Sequence, residues 1–392
     1  MSEPVSNKPF PQAAPKAPPY RHFHRVAWLA VALAFGVIVF GAFVRLSNAG
    51  LSCPDWPTCY GRATWPQAMS EAASHAASAI RPFDDQKAWR EQVHRHLAGT
   101  LGGLVAILAL LAVRRRRFGV ARILLAAAGV GAGIPLYMHG MHEAAFVVAG
   151  IGEALLLASA LRWNNDDLAR VATLTLMVIV FQALLGMWTV TLLLKPIVVM
   201  GHLLGGLTTF ALLTWMAWRA TDIPVRLAEY ATMRRWLIGA LVVLGLQIAL
   251  GGWVSSNYAA LACGNDFPTC VGQWLPPADF HQGFVLWRGI GVDYEGGVLD
   301  GASRIAIQLA HRGMALVVFV YLLALAWRLL RTPGLWLTGV VLGLLLCAQV
   351  GLGIGNVMLG LPLWVATLHN AGAAALLFVL VSLLARVRPP MD

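Results

Sequence analysis

The sequence predicts an all-α polytopic membrane protein: two parallel-repeat four-helix bundles with an inserted helix pair, about ten spans with eight in the core. Three observations carry this prediction. The chain is 58% hydrophobic and only 12% charged, where soluble domains carry about 25% charged residues. Apolar runs close to the roughly 20 residues that cross a bilayer recur between charge clusters along the whole chain. Separate features of its first and second halves also recur at matching spacings, the mark of an internal repeat.

Residues 1–25, rich in Pro, Ala and Lys and holding His22 and His24, read as a disordered cytoplasmic tail. The apolar run that follows is too long for a signal-peptide core and lacks an A-x-A cleavage site, so it is read as a retained span. Spans are expected near 26–46, 94–113, 121–138, 143–162, 170–191, 198–218, 236–254, 304–327, 335–357 and 363–385. With the N-terminus inside, Arg114 to Arg117, Arg162 to Arg170, Arg219 to Arg235, Arg328 with Arg331, and Arg386 with Arg388 all fall in inside segments. The positive-inside rule is met at each. This predicts a bacterial inner-membrane protein whose two long loops, 47–93 and 255–303, are periplasmic. The net charge of +11 resides in these short clusters and forms no continuous basic face, so no nucleic-acid partner is expected. Gly129, Gly131, Gly133 and Pro135 interrupt the stretch 121–162, which reads either as two spans or as one re-entrant element.

The repeat aligns Gly41 with Gly251, each twelve residues before a cysteine, Cys53 or Cys263. After each loop comes a His-Arg pair, His94-Arg95 and His311-Arg312. Gln182 and Gln349 follow, each four residues before a glycine and twenty before His202 or His369. Each repeat unit has an even number of spans, so the halves are expected to be parallel repeats about an axis along the membrane normal. The expected organisation is an N-terminal half over 26–219 containing the insertion 121–162, a cytoplasmic linker over 220–235, and a C-terminal half over 236–392.

Four intramembrane histidines, His94, His202, His311 and His369, are the candidate site. His94 and His202 are expected in the first turns of their spans, and His311 and His369 about two turns in, all toward the periplasmic side. An ionisable group within a span is costly and marks function by default; hydrogen-bonded packing is the structural alternative. Imidazoles on facing helices ligate haem iron axially. The repeat pairs His94 with His202 and His311 with His369, giving two haem sites. Zinc or copper fits less well, because no His pair has the i, i+4 spacing of a compact site and no carboxylate triad accompanies them. No C-x-x-C-H signature is present, so a bound haem is not covalently attached.

Glu91, three residues before His94, shares its helix face if the helix already includes residue 91. It is read as a proton donor or acceptor, with an interfacial carboxylate at a helix N-terminus as the alternative. The second half has Gln308 at the matching position. Arg95 and Arg312 are candidates for haem propionate contacts or for anchors at the interface. His96 falls on nearly the opposite face from His94. His75, His139, His142 and His281 are read as loop residues. Cys53 with Cys59, and Cys263 with Cys270, are expected to form short-range disulfides in an oxidising compartment, as loop staples or as redox groups. Cys347 reads as a small apolar residue within a span.

Arg45-Leu-Ser-Asn-Ala-Gly-Leu-Ser-Cys-Pro-Asp-Trp-Pro-Thr-Cys59, Glu91-Gln-Val-His-Arg95, Gln182-Ala-Leu-Leu-Gly-Met-Trp-Thr-Val190, Gly251-Gly-Trp-Val-Ser-Ser-Asn257 and His369-Asn370 together resemble the haem A synthase family. The resemblance covers residues 26–385. It implies oxidation of the C8 methyl of haem O to a formyl group by successive hydroxylations and loss of water. It implies a cofactor haem b on His311 and His369, and substrate haem O handled by His94 and His202 near Glu91. It further implies supply by a haem O synthase, an electron acceptor or donor, and a role in haem-copper oxidase assembly; self-association is compatible with it. The inserted 121–162 segment departs from the eight spans usual in the family. Two rival readings are a di-haem b carrier that exchanges electrons with quinol and a parallel-repeat transporter. The first calls for haems at opposite depths, and the second for polar midplane residues that are scarce here.

Overall fold

The computed structural model describes residues 22–72 and 82–391. Residues 1–21 of the expected tail over 1–25, His75 and the last residue lie outside the described residues. Among the described residues, ten helices are long and apolar enough to cross a membrane. They are α1 (Phe23–Leu46), α3 (Asp85–Val113), α4 (Gly119–Met138), α5 (His142–Arg162), α6 (Ala169–Thr191), α7 (Pro196–Thr221), α8 (Tyr230–Ser256), α10 (Gly301–Leu330), α11 (Trp336–Met358) and α12 (Leu363–Arg386). The short helices α2 (Met69–Ala72) and α9 (Phe280–Gly283) belong to the two long loops. The 121–162 stretch is therefore two spans joined by a tight turn, with Gly140 in the left-handed region at φ +80°.

Several helices begin earlier than the apolar runs suggest. α1 starts at Phe23, whose fully buried ring joins the main core, so His24 and Arg25 are helical rather than part of a tail. α3 starts nine residues before the expected 94, because Asp84 caps it by accepting the backbone N–H of Lys87 at 3.1 Å. Charged Asp85, Lys87, Arg90 and Glu91 disguise this first stretch in a hydropathy reading without preventing helix formation. His94 is consequently the tenth residue of α3, not a first-turn residue. α10 begins the same way, with Asp300 accepting from Ser303 N at 2.7 Å. α8 starts six residues before the expected 236.

The helices form two rings of four. α1 packs on α3, α3 on α6, α6 on α7 and α7 back on α1; α8, α10, α11 and α12 close a second ring in the same order. The halves meet where α1 and α7 pack against α12, and α7 against α8. One continuous apolar core runs through both, with Leu213 and Met216 of α7, Leu237 of α8 and Leu322 of α10 fully buried. The α4–α5 hairpin lies against α3 and α6, on the side of the first ring away from the second half. Among the described residues nothing similar covers the matching α10–α11 face, which exposes Leu316, Val320, Leu337 and Leu344, as a lipid-facing surface does. Two short parallel strands, β1 (Val225–Arg226) and β2 (Val387–Arg388), pair Val225 with Val387 and so tie the inter-half linker to the C-terminal end.

Candidate functional site

At the end of each bundle where the long loops lie, a disulfide closes a small knot: Cys53–Cys59 in the first half and Cys263–Cys270 in the second. Both knots are built alike. Asp55 accepts from the Thr58 hydroxyl and from the backbone N–H groups of Tyr60 and Gly61. Asp266 accepts from the Thr269 hydroxyl at 2.7 Å and from Gly272 N at 2.7 Å. These hydrogen bonds hold the Asp266 carboxyl below its ordinary range, while near the first knot burial, Glu91 and Asp55 push the Tyr60 phenol up.

Arg95 and Arg312 reach from α3 and α10 into these knots. Arg95 donates to the carbonyls of Asp55 and Thr58, both at 2.7 Å, and of Cys53 at 3.2 Å. Arg312 donates to Thr269 O at 2.8 Å and Asp266 O at 3.0 Å. In this structure both guanidiniums serve as loop clamps. Glu91 completes the first clamp alone. Its Oε1 accepts from Arg95 at 2.7 Å, and its Oε2 accepts from Ser52 N at 2.7 Å and Cys53 N at 2.8 Å. Glu91 is 5% exposed, so this is a buried pair in which both carboxylate oxygens are engaged. The side chain of Gln308, at the matching position, leaves its buried Oε1 without a partner.

The histidines project from helices on the diagonals of the rings. α3 and α7 are not neighbours in the first ring, nor α10 and α12 in the second. His202 and His369 are each the seventh residue of their helix, and His94 and His311 the tenth and eleventh of theirs. All four therefore lie toward the loop end. His94 and His202 are within electrostatic range of each other, as are His311 and His369.

The helices between them make room. A Cβ built on Gly41 of α1 would stand 2.7 Å from His94 Cε1, and one on Gly251 of α8 would stand 3.2 Å from His311 Cε1. The counterparts on α6 and α11, Gly186 and Gly353, give 3.1 and 3.0 Å to His202 and His369. Four ring positions, four glycines: each imidazole occupies space that a side chain would otherwise fill. Two half-buried imidazoles on opposed walls of one bundle are the donor set that axial haem ligation uses, so the residues fit such a group.

Ring orientation differs among the four. Gln182 places its amide nitrogen 3.0 Å from His202 Nδ1. Gln247 does so at 3.2 Å from His311 Nδ1, and is also 3.4 Å from Nε2. His369 Nδ1 donates to Gln349 O at 3.1 Å. The buried Nδ1 of His94 has no hydrogen-bond partner. Gln247 was not singled out by the repeat spacing, although it precedes Gly251 by four residues, as Gln182 and Gln349 precede their glycines; Val37 takes that place in α1.

The remaining candidates stand apart. His96 contacts Ala63 O at 2.9 Å on the exposed side of α3. His139, His142 and His281 are exposed, His142 lying 4.7 Å from the Tyr137 ring. Cys347 is a free, exposed thiol on α11. Among the described residues no three His, Cys, Asp or Glu side chains gather around a common point.

The fold and site define a membrane protein of two repeated helical bundles, each with a pair of half-buried histidines across its diagonal. The chain belongs to the COX15-CtaA family of cytochrome oxidase assembly proteins, which matches residues 24–381. A protein of Shewanella oneidensis named Heme A synthase is 37% identical over 372 residues, covering 92% of this chain and 96% of that one. Proteins of the same name from Caulobacter sp. strain K31 and Caulobacter vibrioides are each 28% identical, each covering 93% of this chain and 96% of their own length.

Proposed function

We propose that the chain, an enzyme of haem A biosynthesis by its family, oxidises the C8 methyl of haem O to a formyl group, with a haem b on His311 and His369 and the substrate porphyrin between His94 and His202. The observation that carries this reading is the asymmetry of two otherwise matching bundles: both have a diagonal histidine pair in a glycine cradle, and only the first has a buried carboxylate, Glu91, one turn from its histidine. A bound haem iron supplies the redox chemistry, with electrons exchanged with an external partner.

The protein's own residues bind, orient and exclude water. His311 and His369 would hold the haem b between them, with the Gln247 side chain and the Gln349 carbonyl orienting the rings through contacts at Nδ1. His94, which lacks such a contact, and His202 hold the exchangeable porphyrin. Glu91 is the proposed proton acceptor beside it. The disulfide knots, clamped by Arg95 and Arg312, close the loop end of each bundle. The positive-inside pattern supports a bacterial inner-membrane setting with the N-terminus cytoplasmic and both knots periplasmic. A haem O synthase would supply the substrate, and oxidase assembly would take the product.

A di-haem electron wire is less well supported, since all four histidines lie toward one end of the bundles. The deciding experiment is chromatography of haem extracted from the purified protein, made in cells with and without haem O synthesis. Haem b with haem O or haem A is expected in the first case and haem b alone in the second. Haem b alone in both cases overturns the proposal.

A further inference from the structure

We infer that Lys195 is an anchor for a porphyrin carboxylate at the His94–His202 site; this rests on the proposal that this pair holds a porphyrin. Lys195 lies in the α6–α7 turn directly before Pro196 and is 1% exposed. Its Nζ has no hydrogen-bond partner. The ammonium lies over the face of Trp287, whose centroid is 3.5 Å away. An ammonium carries three donors, and taking it out of water costs more than a ring face returns. An anion is the ordinary remedy.

The position indicates which anion. Lys195, the N-cap residue of α7, precedes His202 by seven residues, about two turns along the same helix. Lys195 is about 10 Å nearer the loop end, and side chains on a helix lean toward its N-terminus, which brings the imidazole toward the lysine. A porphyrin held at His202 with its propionates toward the loop end would present a carboxylate at that height.

The roof comes from the other half. Trp287 belongs to the second long loop, which is pinned to the same turn by Tyr294 N donating to Leu193 O at 3.1 Å and by packing of Tyr294 on Leu51, Val190 and Leu194. Trp287 is itself 65% exposed, so the lysine is covered by a surface side chain of a loop and not by the core. The repeat position of Lys195 in the second half is Pro362, seven residues before His369. The anchor therefore belongs only to the site assigned to the exchanging molecule.

A lipid phosphate would offer Lys195 the same charge, and the experiment separates the two sources. The full-length protein in nanodiscs is titrated with ferric haem and with its dimethyl ester, following the Soret band, for the wild type, Lys195→Met and Lys195→Arg. The wild type is expected to prefer the diacid by about tenfold or more, the effect of one charge-assisted hydrogen bond. Lys195→Met should bind both forms alike, and Lys195→Arg should keep the preference. Haem b retained on the second half reports that the variants are folded. An unchanged preference in Lys195→Met overturns the inference, and loss of bound phosphatidylglycerol in native mass spectra of that variant would then assign the lysine to lipid. Undiminished porphyrin binding in His94→Ala and His202→Ala would instead overturn the reading on which the inference rests.

Discussion

The two halves share a ring order, a disulfide knot, an arginine clamp and a diagonal histidine pair, and differ at a few buried points. The first half has Glu91 where the second has Gln308, Val37 where it has Gln247, and Lys195 where it has Pro362. It also has the α4–α5 hairpin over its α3–α6 face, while the α10–α11 face is bare. The second half ties both of its imidazoles at Nδ1; the first leaves His94 untied and puts charge near it instead. Restrained ligands suit a resident group. A site with a loose imidazole and two buried charges of opposite sign suits a molecule that binds, reacts and leaves. On the proposed function, the two halves repeat one architecture, and a few differing residues separate their roles.

Replacing histidines tests that separation with the largest effect. His311→Ala or His369→Ala should lose bound haem b, measured as haem per protein in the purified enzyme. His94→Ala or His202→Ala should keep haem b and reduce haem A formation to background, as should Glu91→Ala. Equal loss of haem b from all four histidine variants would mean that the halves are not specialised.

Sequence reading reached this site unevenly. The ten spans, the repeat and the four histidines were legible, because apolar runs and fixed spacings are local properties. The start of α3 was not: its first turns carry charge, and the cap at Asp84, not hydropathy, sets where it begins. The diagonal arrangement was also hidden, since periodicity tells which face of a helix is apolar but not which helix it meets. Arg95 and Arg312 read equally well as propionate ligands or interface anchors. Only the fold shows them donating to loop carbonyls some forty residues earlier in the chain. Lys195 and Trp287 lie in different halves, and no pattern along the chain announces that they touch.

The clamps sharpen the comparison at intermediate effect. Arg95→Met strands the Glu91 carboxylate in a buried position, and breaking such a pair costs about 3–5 kcal/mol. Arg312→Met removes donors to loop carbonyls and a charge near the exposed Asp266, but strands no buried carboxylate, since Gln308 is neutral, at a cost of about 1.5–3 kcal/mol. Thermal unfolding in detergent should rank the two variants in that order. Adding Glu91→Gln to Arg95→Met should recover part of the loss, whereas Gln308→Glu should not worsen the wild type, because Arg312 is there to receive it. A reversed ranking would show that the first knot does not depend on its buried pair.

The smallest expected effect lies in the knots themselves and depends on pH. The Asp266 carboxyl is held below its ordinary value by the Thr269 hydroxyl and the Gly272 N–H. A depressed carboxyl contributes stability that is complete above its unfolded value, near 4, and is lost as pH falls through the lower folded value. The second knot should therefore loosen only in acid below about pH 4, read as faster reduction of Cys263–Cys270 by a phosphine. Asp266→Asn should reduce faster already at neutral pH and lose this acid dependence. Asp55→Asn in the first half should give a smaller change, because Glu91 still accepts from Ser52 and Cys53 when Asp55 no longer can. Equal sensitivity of the two disulfides would mean that Glu91 adds nothing to the loop, and would leave proton handling beside His94 as the remaining reason for a carboxylate there.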